Sequence, residues 1–229
     1  MLLALGACAP GVTASPGTAM ATQNLALIRH GQPPCEALGA ATYLGQGRFV
    51  TASHVVDGVP ARLRGCAPSN AAPLVVFAGR AQPAGVQRIG LGHVAPDVGL
   101  RYQGGLDLAL LQARTPDGPG ASPCGFDATP GQAVVVATPR RIVPARVIGQ
   151  MREETPIHGG YTEIAIRLEP GESGAGVFDA EQGCLVGVVA NRDVARPDRT
   201  RIVLTQALRA FLALPAPIEA PRVAPAPPR

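Results

Sequence analysis

Three short stretches of the chain carry side chains that together could perform acyl transfer. Arg48-Phe49-Val50-Thr51-Ala52-Ser53-His54 ends an apolar run on a histidine. Gly105-Leu106-Asp107-Leu108-Ala109-Leu110-Leu111 opens another beside an aspartate, and Pro170-Gly171-Glu172-Ser173-Gly174-Ala175-Gly176 sets a serine in a glycine-rich turn. A serine hydroxyl is a poor nucleophile until a base removes its proton, and an imidazole can accept and return that proton at neutral pH. A carboxylate then fixes the imidazole tautomer and stabilises the imidazolium. The glycines let the backbone turn so that the N–H groups of Gly171 and Ser173 converge where an oxyanion would form. Alone, each stretch is as readily a plain turn, a packed histidine or a turn cap. Together, in this order, they predict a triad of His54, Asp107 and Ser173.

The surrounding sequence reads as short strands. Ala40 to Leu44, the turn Gly45-Gln46-Gly47 and Arg48 to Ala52 form a β-hairpin pattern that delivers His54 at its end. Runs at 74–78, 86–91 and 106–112 complete a β-rich first half, and runs at 132–138, 142–150, 161–168, 176–178, 184–190 and 201–204 a second. Pro116-Asp117-Gly118-Pro119-Gly120 interrupts them, because proline cannot donate to a sheet ladder. Leu208, Phe211 and Leu212 at helical spacing predict one closing helix over 205–214. The expected organisation is therefore 1–24 leader and flexible tether, 25–115 first barrel, 116–123 linker, 124–214 second barrel with closing helix, and 215–229 a disordered Pro/Ala-rich tail. No repeat of fixed period is present.

Composition supports short strands over long helices: the 229 residues include 28 Gly and 24 Pro, only 3% aromatics and no Trp. All 20 basic residues are arginine and lie scattered, without the aromatic-interleaved stripe of a nucleic-acid binder, so no nucleic-acid partner is expected. Met1-Leu2-Leu3-Ala4-Leu5-Gly6-Ala7-Cys8 resembles a lipoprotein signal ending at an acylated Cys8, but it lacks a basic start and a full apolar run. The expectation is a start codon further upstream and a possible membrane tether through Cys8. The other four cysteines allow three pairings. Cys35 and Cys66 bracket His54, Cys124 and Cys184 bracket Ser173, and these two bridges are the expected ones, in an oxidising compartment. His30, His93 and His158 have no partner at metal-ligand spacing; His93 reads as a loop residue, and neither a metal nor a cofactor is expected.

Thr51-Ala52-Ser53-His54, Asp107-Leu108-Ala109-Leu110-Leu111 and Gly171-Glu172-Ser173-Gly174 resemble the Thr-Ala-Ala-His, Asp-Ile-Ala-Leu-Leu and Gly-Asp-Ser-Gly signatures of trypsin-like serine peptidases, in the same chain order. The similarity covers about residues 39–204 and is nearer to bacterial glutamyl endopeptidases and high-temperature-requirement proteases, without the latter's peptide-binding module. Trypsins pair the aspartate before the nucleophile with a new N-terminus; here Glu172 stands there and no such activation sequence precedes Cys35 at a plausible distance. The resemblance implies an all-β fold of two six-stranded antiparallel chymotrypsin-like barrels with a short C-terminal helix. It also implies a monomeric endopeptidase acting on protein or peptide substrates in the bacterial envelope or outside the cell. A catalytically silent barrel serving as an envelope binding module is the alternative. The substrate-binding segments would be 165–169 and 188–192, with Arg167, Leu168, Val189 and Ala190 as contact residues. Arg167 would favour an acidic substrate residue if it points inward, while strand alternation allows the outward orientation equally.

Overall fold

The computed structural model describes residues 14–67, 69–95, 99–115, 117–152, 159–192 and 196–214. In chain order the elements are α1 Pro16–Asn24, β1 Leu25–His30, β2 Ala37–Gly45, β3 Arg48–Thr51, α2 Ser53–Val56, α3 Val59–Leu63, β4 Leu74–Phe77, β5 Arg80–Ile89, β6 Gly92–Ala95, β7 Gly99–Tyr102 and β8 Ala109–Ala113. They continue with β9 Ala133–Ala137, β10 Ile142–Arg152, β11 Gly160–Ile164, β12 Gly176–Asp179, β13 Leu185–Arg192, β14 Thr200–Val203 and α4 Thr205–Ala213. Two closed six-stranded antiparallel barrels result, in the orders β1-β2-β3-β8-β5-β4 and β10-β11-β14-β13-β12-β9. This is the expected chymotrypsin-like fold. A separate two-stranded sheet, β6 and β7, stands outside both.

The β2–β3 hairpin forms where the glycines predict it, with Thr42 opposite Val50 and Tyr43 opposite Phe49. Gly45, Gln46 and Gly47 all have positive φ, at 87°, 54° and 72°. A side chain at Gly47 is also blocked by space, since a Cβ there would lie 2.2 Å from the Ala113 carbonyl. The first barrel is filled around Tyr43, Phe49 and Phe77, whose ring centroids are 4.7 to 5.4 Å apart. Such pairs contribute about 0.5–1.5 kcal/mol beyond their area burial. Away from the seam between the barrels, the second is filled by aliphatic side chains, among them Val136, Val147, Ile164, Val177, Val186 and Ile202.

Residues 16–24, expected to be part of a flexible tether, instead form α1. Ser15 caps it by accepting from Thr18 N at 3.3 Å, and Pro16 occupies the first turn. The helix has no apolar stripe, and its small residues are what let it pack closely on the second barrel. Gly17 N donates to Ala180 O at 3.2 Å, and a Cβ at Gly17 would lie 2.4 Å from the Asp179 carbonyl. The chain then enters β1 of the first barrel, so this segment joins the two. His93, expected in a loop, lies on β6, and His30 ends β1 with its Nε2 3.2 Å from Ala71 O. Cys8, His158 and the 215–229 tail fall outside the described residues.

Helices α1 and α4 each reach across the seam between the barrels. Arg88 on β5 donates from Nη1 to Phe211 O and from Nη2 to Leu214 O at 2.7 Å, with its guanidinium 5.3 Å from the Phe211 ring centre. Beyond β8, Ala121 N donates to Tyr43 O at 2.9 Å, which folds the connection back onto the first barrel. The disulfides are Cys35–Cys66 and Cys124–Cys184, the pairing expected from the sequence. Each contributes roughly 4 kcal/mol in the chain-entropy model.

Candidate active site

His54 lies on α2, immediately after β3, and the strand end that carries it is tied down by hydroxyl groups. Thr51 Oγ1 donates to Ala40 O at 2.6 Å, and the buried Ser53 Oγ donates to Leu108 O at 2.5 Å while accepting from Gly90 N at 3.0 Å. These bonds bring α2 against the residues that lead into β8, where Asp107 is 2% exposed. Asp107 accepts twice from His54: backbone N to Oδ1 at 3.1 Å, and Nδ1 to Oδ2 at 2.7 Å. The second bond leaves the Nε2 edge of the ring for proton exchange. Burial lowers the pKa of His54, but the charge and hydrogen bond of Asp107, joined by the charge of Asp57, outweigh it and hold the imidazole above its ordinary value.

Ser173 sits in the turn before β12, wedged between the barrels. Ala40 N on β2 donates to Ser173 O at 2.8 Å, and Gly174 N donates to Val189 O on β13 at 2.9 Å. Gly171 and Gly174 have φ of 92° and 84°. At Gly174 space is as restrictive as conformation, since a Cβ would lie 2.2 Å from Ala40 O and 2.3 Å from Thr51 Oγ1. Within the turn, the N–H groups of Glu172 and Ala175 are taken by Glu169 O and Glu172 O. Among the described residues, Gly171 N and Ser173 N donate to nothing. Glu172, 1% exposed, uses its carboxylate inside its own loop by accepting from Glu169 N at 2.7 Å.

His54, Asp107 and Ser173 line one cavity of about 330 Å³, to which Leu168, Val189 and Ala190 also contribute. A second groove of about 570 Å³ runs from His54, Gly171 and Ser173 in another direction, past Leu38 and Leu63. Ser173 Oγ makes no hydrogen bond among the described residues, which is common before substrate tightens such sites. Arg167 does not line the cavity: its side chain is 62% exposed and pairs at 2.7 Å with Glu169, which does line it, so of the two orientations the sequence allows, the outward one is found. Among the described residues no group of three or more His, Cys, Asp or Glu is placed to hold a metal ion.

Two neighbours of His54 escape the sequence patterns. Asp57, one turn beyond it, accepts from Val59 N at 2.8 Å through Oδ1 and from the hydroxyl of Tyr102 through Oδ2. Tyr102, on β7, lines the cavity beside His54 and Asp107, and its ring fits over Gly92, where a Cβ would lie 2.9 Å from it. Burial raises the pKa of Asp57, an effect that its bonds to Tyr102 and Val59 reduce. The spacing of Asp57 from His54 is a usable signal once the helix is known. Nothing local announces Tyr102, 45 residues from Asp57.

The family model for the trypsin-like peptidase domain matches residues 39–188. No curated protein matches the sequence. Among solved structures, the active form of the Rv3671c protease from M. tuberculosis superposes with a TM-score of 0.67 at 19% identity, over 93% of each chain. The serine endoprotease from Yersinia pestis gives 0.61 at 14% identity, over 86% of this chain and 64% of that one. The HtrA-type protease AlgW, solved with a decapeptide, gives 0.59 at 15% identity, over 85% and 66%. At these identities the superpositions speak for the fold.

Proposed function

Because the chain belongs to the trypsin-like peptidase family, we propose that it is a serine endopeptidase in which His54, Asp107 and Ser173 act as the catalytic triad. The observation that carries this reading is the His54 Nδ1 to Asp107 Oδ2 bond of 2.7 Å in the cavity that Ser173 shares. In the reaction, His54 Nε2 takes the Ser173 proton as Oγ attacks the scissile carbonyl. Asp107 stabilises the imidazolium, and the N–H groups of Gly171 and Ser173 receive the oxyanion. His54 then protonates the leaving amine, and water releases the acyl-enzyme by the same steps in reverse. The two cavities leading away from His54 and Ser173 support cleavage within a chain over removal of a terminal residue, because substrate can extend both ways. Two disulfides fit an oxidising compartment outside the cytoplasm.

A fluorophosphonate probe tests the assignment. The full chain should be labelled at Ser173, and Ser173→Ala should abolish labelling while leaving the circular dichroism spectrum and Tm unchanged. A folded wild type that stays unlabelled would instead support the silent binding module.

A further inference from the structure

The β6–β7 sheet belongs to neither barrel, yet its root is fastened to both members of the His54–Asp107 pair. Gly90 N donates to Leu108 O at 2.8 Å and to Ser53 Oγ at 3.0 Å, so it touches the residue after Asp107 and the residue before His54. A Cβ at Gly90 would lie 1.8 Å from Leu106 O, which leaves no room for any other residue there. Gln103 N donates to Leu91 O at 3.0 Å and closes the sheet at the same end. Tyr102, 3% exposed, is therefore held against the base by backbone on every side, and its hydroxyl meets Asp57 Oδ2.

That bond decides the state of a half-buried carboxylate. Val59 N already takes Asp57 Oδ1, as the cap of a short helix would require, and Oδ2 is left for Tyr102. Burial favours the protonated form of Asp57, the bonds from Tyr102 and Val59 N oppose it, and the charge of Asp107 adds to the burial. Burial and the two carboxylates hold the Tyr102 pKa above its ordinary value, so its hydroxyl keeps its proton and donates. Among the described residues, the titratable groups acting on Asp57 are Tyr102, Asp107 and His54. Arg62 on α3 and Arg64 after it are exposed. Glu36, Arg64 and His30 line the grooves beside His54, and Glu169 and Arg192 the cavity.

We propose that Tyr102 is a positioning residue for the base: by donating to Asp57 it keeps a second carboxylate charged and fixed beside His54. The proposal rests on the reading of His54 as the general base. Without the hydroxyl, Asp57 would have one donor fewer and would take up a proton at higher pH. Its charge would then be lost as His54 titrates, and the imidazolium would be less favoured.

Titration of His54 by NMR in the full-length Ser173→Ala protein, labelled with 13C and 15N, tests the link without requiring turnover. Adding Tyr102→Phe, which keeps the ring over Gly92, should lower the His54 midpoint by at least about 0.5 pH unit, part of the roughly one to three units that a neighbouring opposite charge is worth. Asp57→Asn should lower it at least as far, and the double variant should match Asp57→Asn. A midpoint that stays or rises in Tyr102→Phe would overturn the proposal, as would a double variant that falls further than Asp57→Asn. A role confined to packing would change Tm and leave the midpoint where it is. If Tyr102→Phe fails to fold, the Asp57 Cγ signal of the Ser173→Ala protein decides: it should remain that of a carboxylate while His54 titrates, and a protonated Asp57 there would equally overturn the link. A wild type that resists fluorophosphonate while the midpoints move as expected would lose the hydrolase reading and keep the link, and a labelled wild type with unmoved midpoints would do the reverse.

Discussion

In the first barrel, His54 and Asp107 are held by side chains: Thr51 and Ser53 hydroxyls reach across to the Ala40 and Leu108 carbonyls, and Asp57 is bonded to Tyr102. In the second, Ser173 is held mainly by the backbone, through Gly171 and Gly174 at positive φ and ladder-like bonds to Ala40 and Val189, with the Glu172 carboxylate bracing the loop at Glu169 N. The contrast follows from the tasks. A base must keep one tautomer and a tuned proton affinity, which takes polar side chains nearby. A nucleophile flanked by oxyanion donors needs free N–H groups in a fixed arrangement, which glycine conformations supply. The acid–base half should therefore respond to changes of charge and hydrogen bonding, and the nucleophile half to changes of space.

The most severe test lies in the first half. Asp107→Asn preserves the shape of the carboxylate but favours the wrong imidazole tautomer, and kcat should fall by about 10⁴, the size seen when this role is removed from a chymotrypsin-type triad. An Asp107→Asn protein with wild-type kcat would break both the comparison and the triad. In the second half, Gly174→Ala should lower stability by about 3 kcal/mol in urea titration, from positive φ and overpacking against Ala40 together. A fully stable, active Gly174→Ala variant would show that the nucleophile turn is not limited by space. Ser53→Ala, which removes a buried bond to Leu108 O without adding bulk, should cost about 1.5 kcal/mol.

The mildest change concerns proton affinity. The imidazole must be neutral to accept the Ser173 proton, so kcat/KM should rise with pH through the ionisation of His54, above the ordinary histidine value because Asp107 and Asp57 favour the charged form. Asp57→Asn removes one of those charges, lowers the His54 pKa, and should move the acid limb to lower pH with little loss of the plateau. The other titratable or charged side chains lining the cavities around His54 are Tyr102, Glu169, Arg192, Glu36, Arg64 and His30. An unmoved limb in Asp57→Asn would limit Asp57 to anchoring Tyr102.

The contrast also explains what could be read in the sequence. His54, Asp107 and Ser173 stand out because each adjoins a strand pattern or a glycine turn, and local chemistry alone makes those stretches unusual. The hairpin before His54 is legible for the same reason, as are the two disulfides that bracket the two halves. Helix α1 is not, because small residues without apolar periodicity become meaningful only against the Asp179–Ala180 turn into which Gly17 fits. Tyr102 is hidden for a related reason: its hydroxyl matters through Asp57, a contact made by the β6–β7 sheet and not by neighbouring sequence. The orientation of Arg167 depends on Glu169 two residues on, and strand alternation cannot decide it.

The crossings made by α1 and α4 bear on whether the halves are separable. The helix before β1 lies on the second barrel, while the helix after β14 offers its last carbonyls to Arg88 of the first. Cut at the connection between the barrels, the first fragment would carry α1 without its docking surface and Arg88 without its acceptors. The second would lose both partners in turn. The barrels are alike in architecture, but they are not interchangeable modules. Grafting one half onto a relative would have to carry the matching terminal helix with it, and a shuffled chimera that exchanged barrels alone would leave its seam unfastened at both ends.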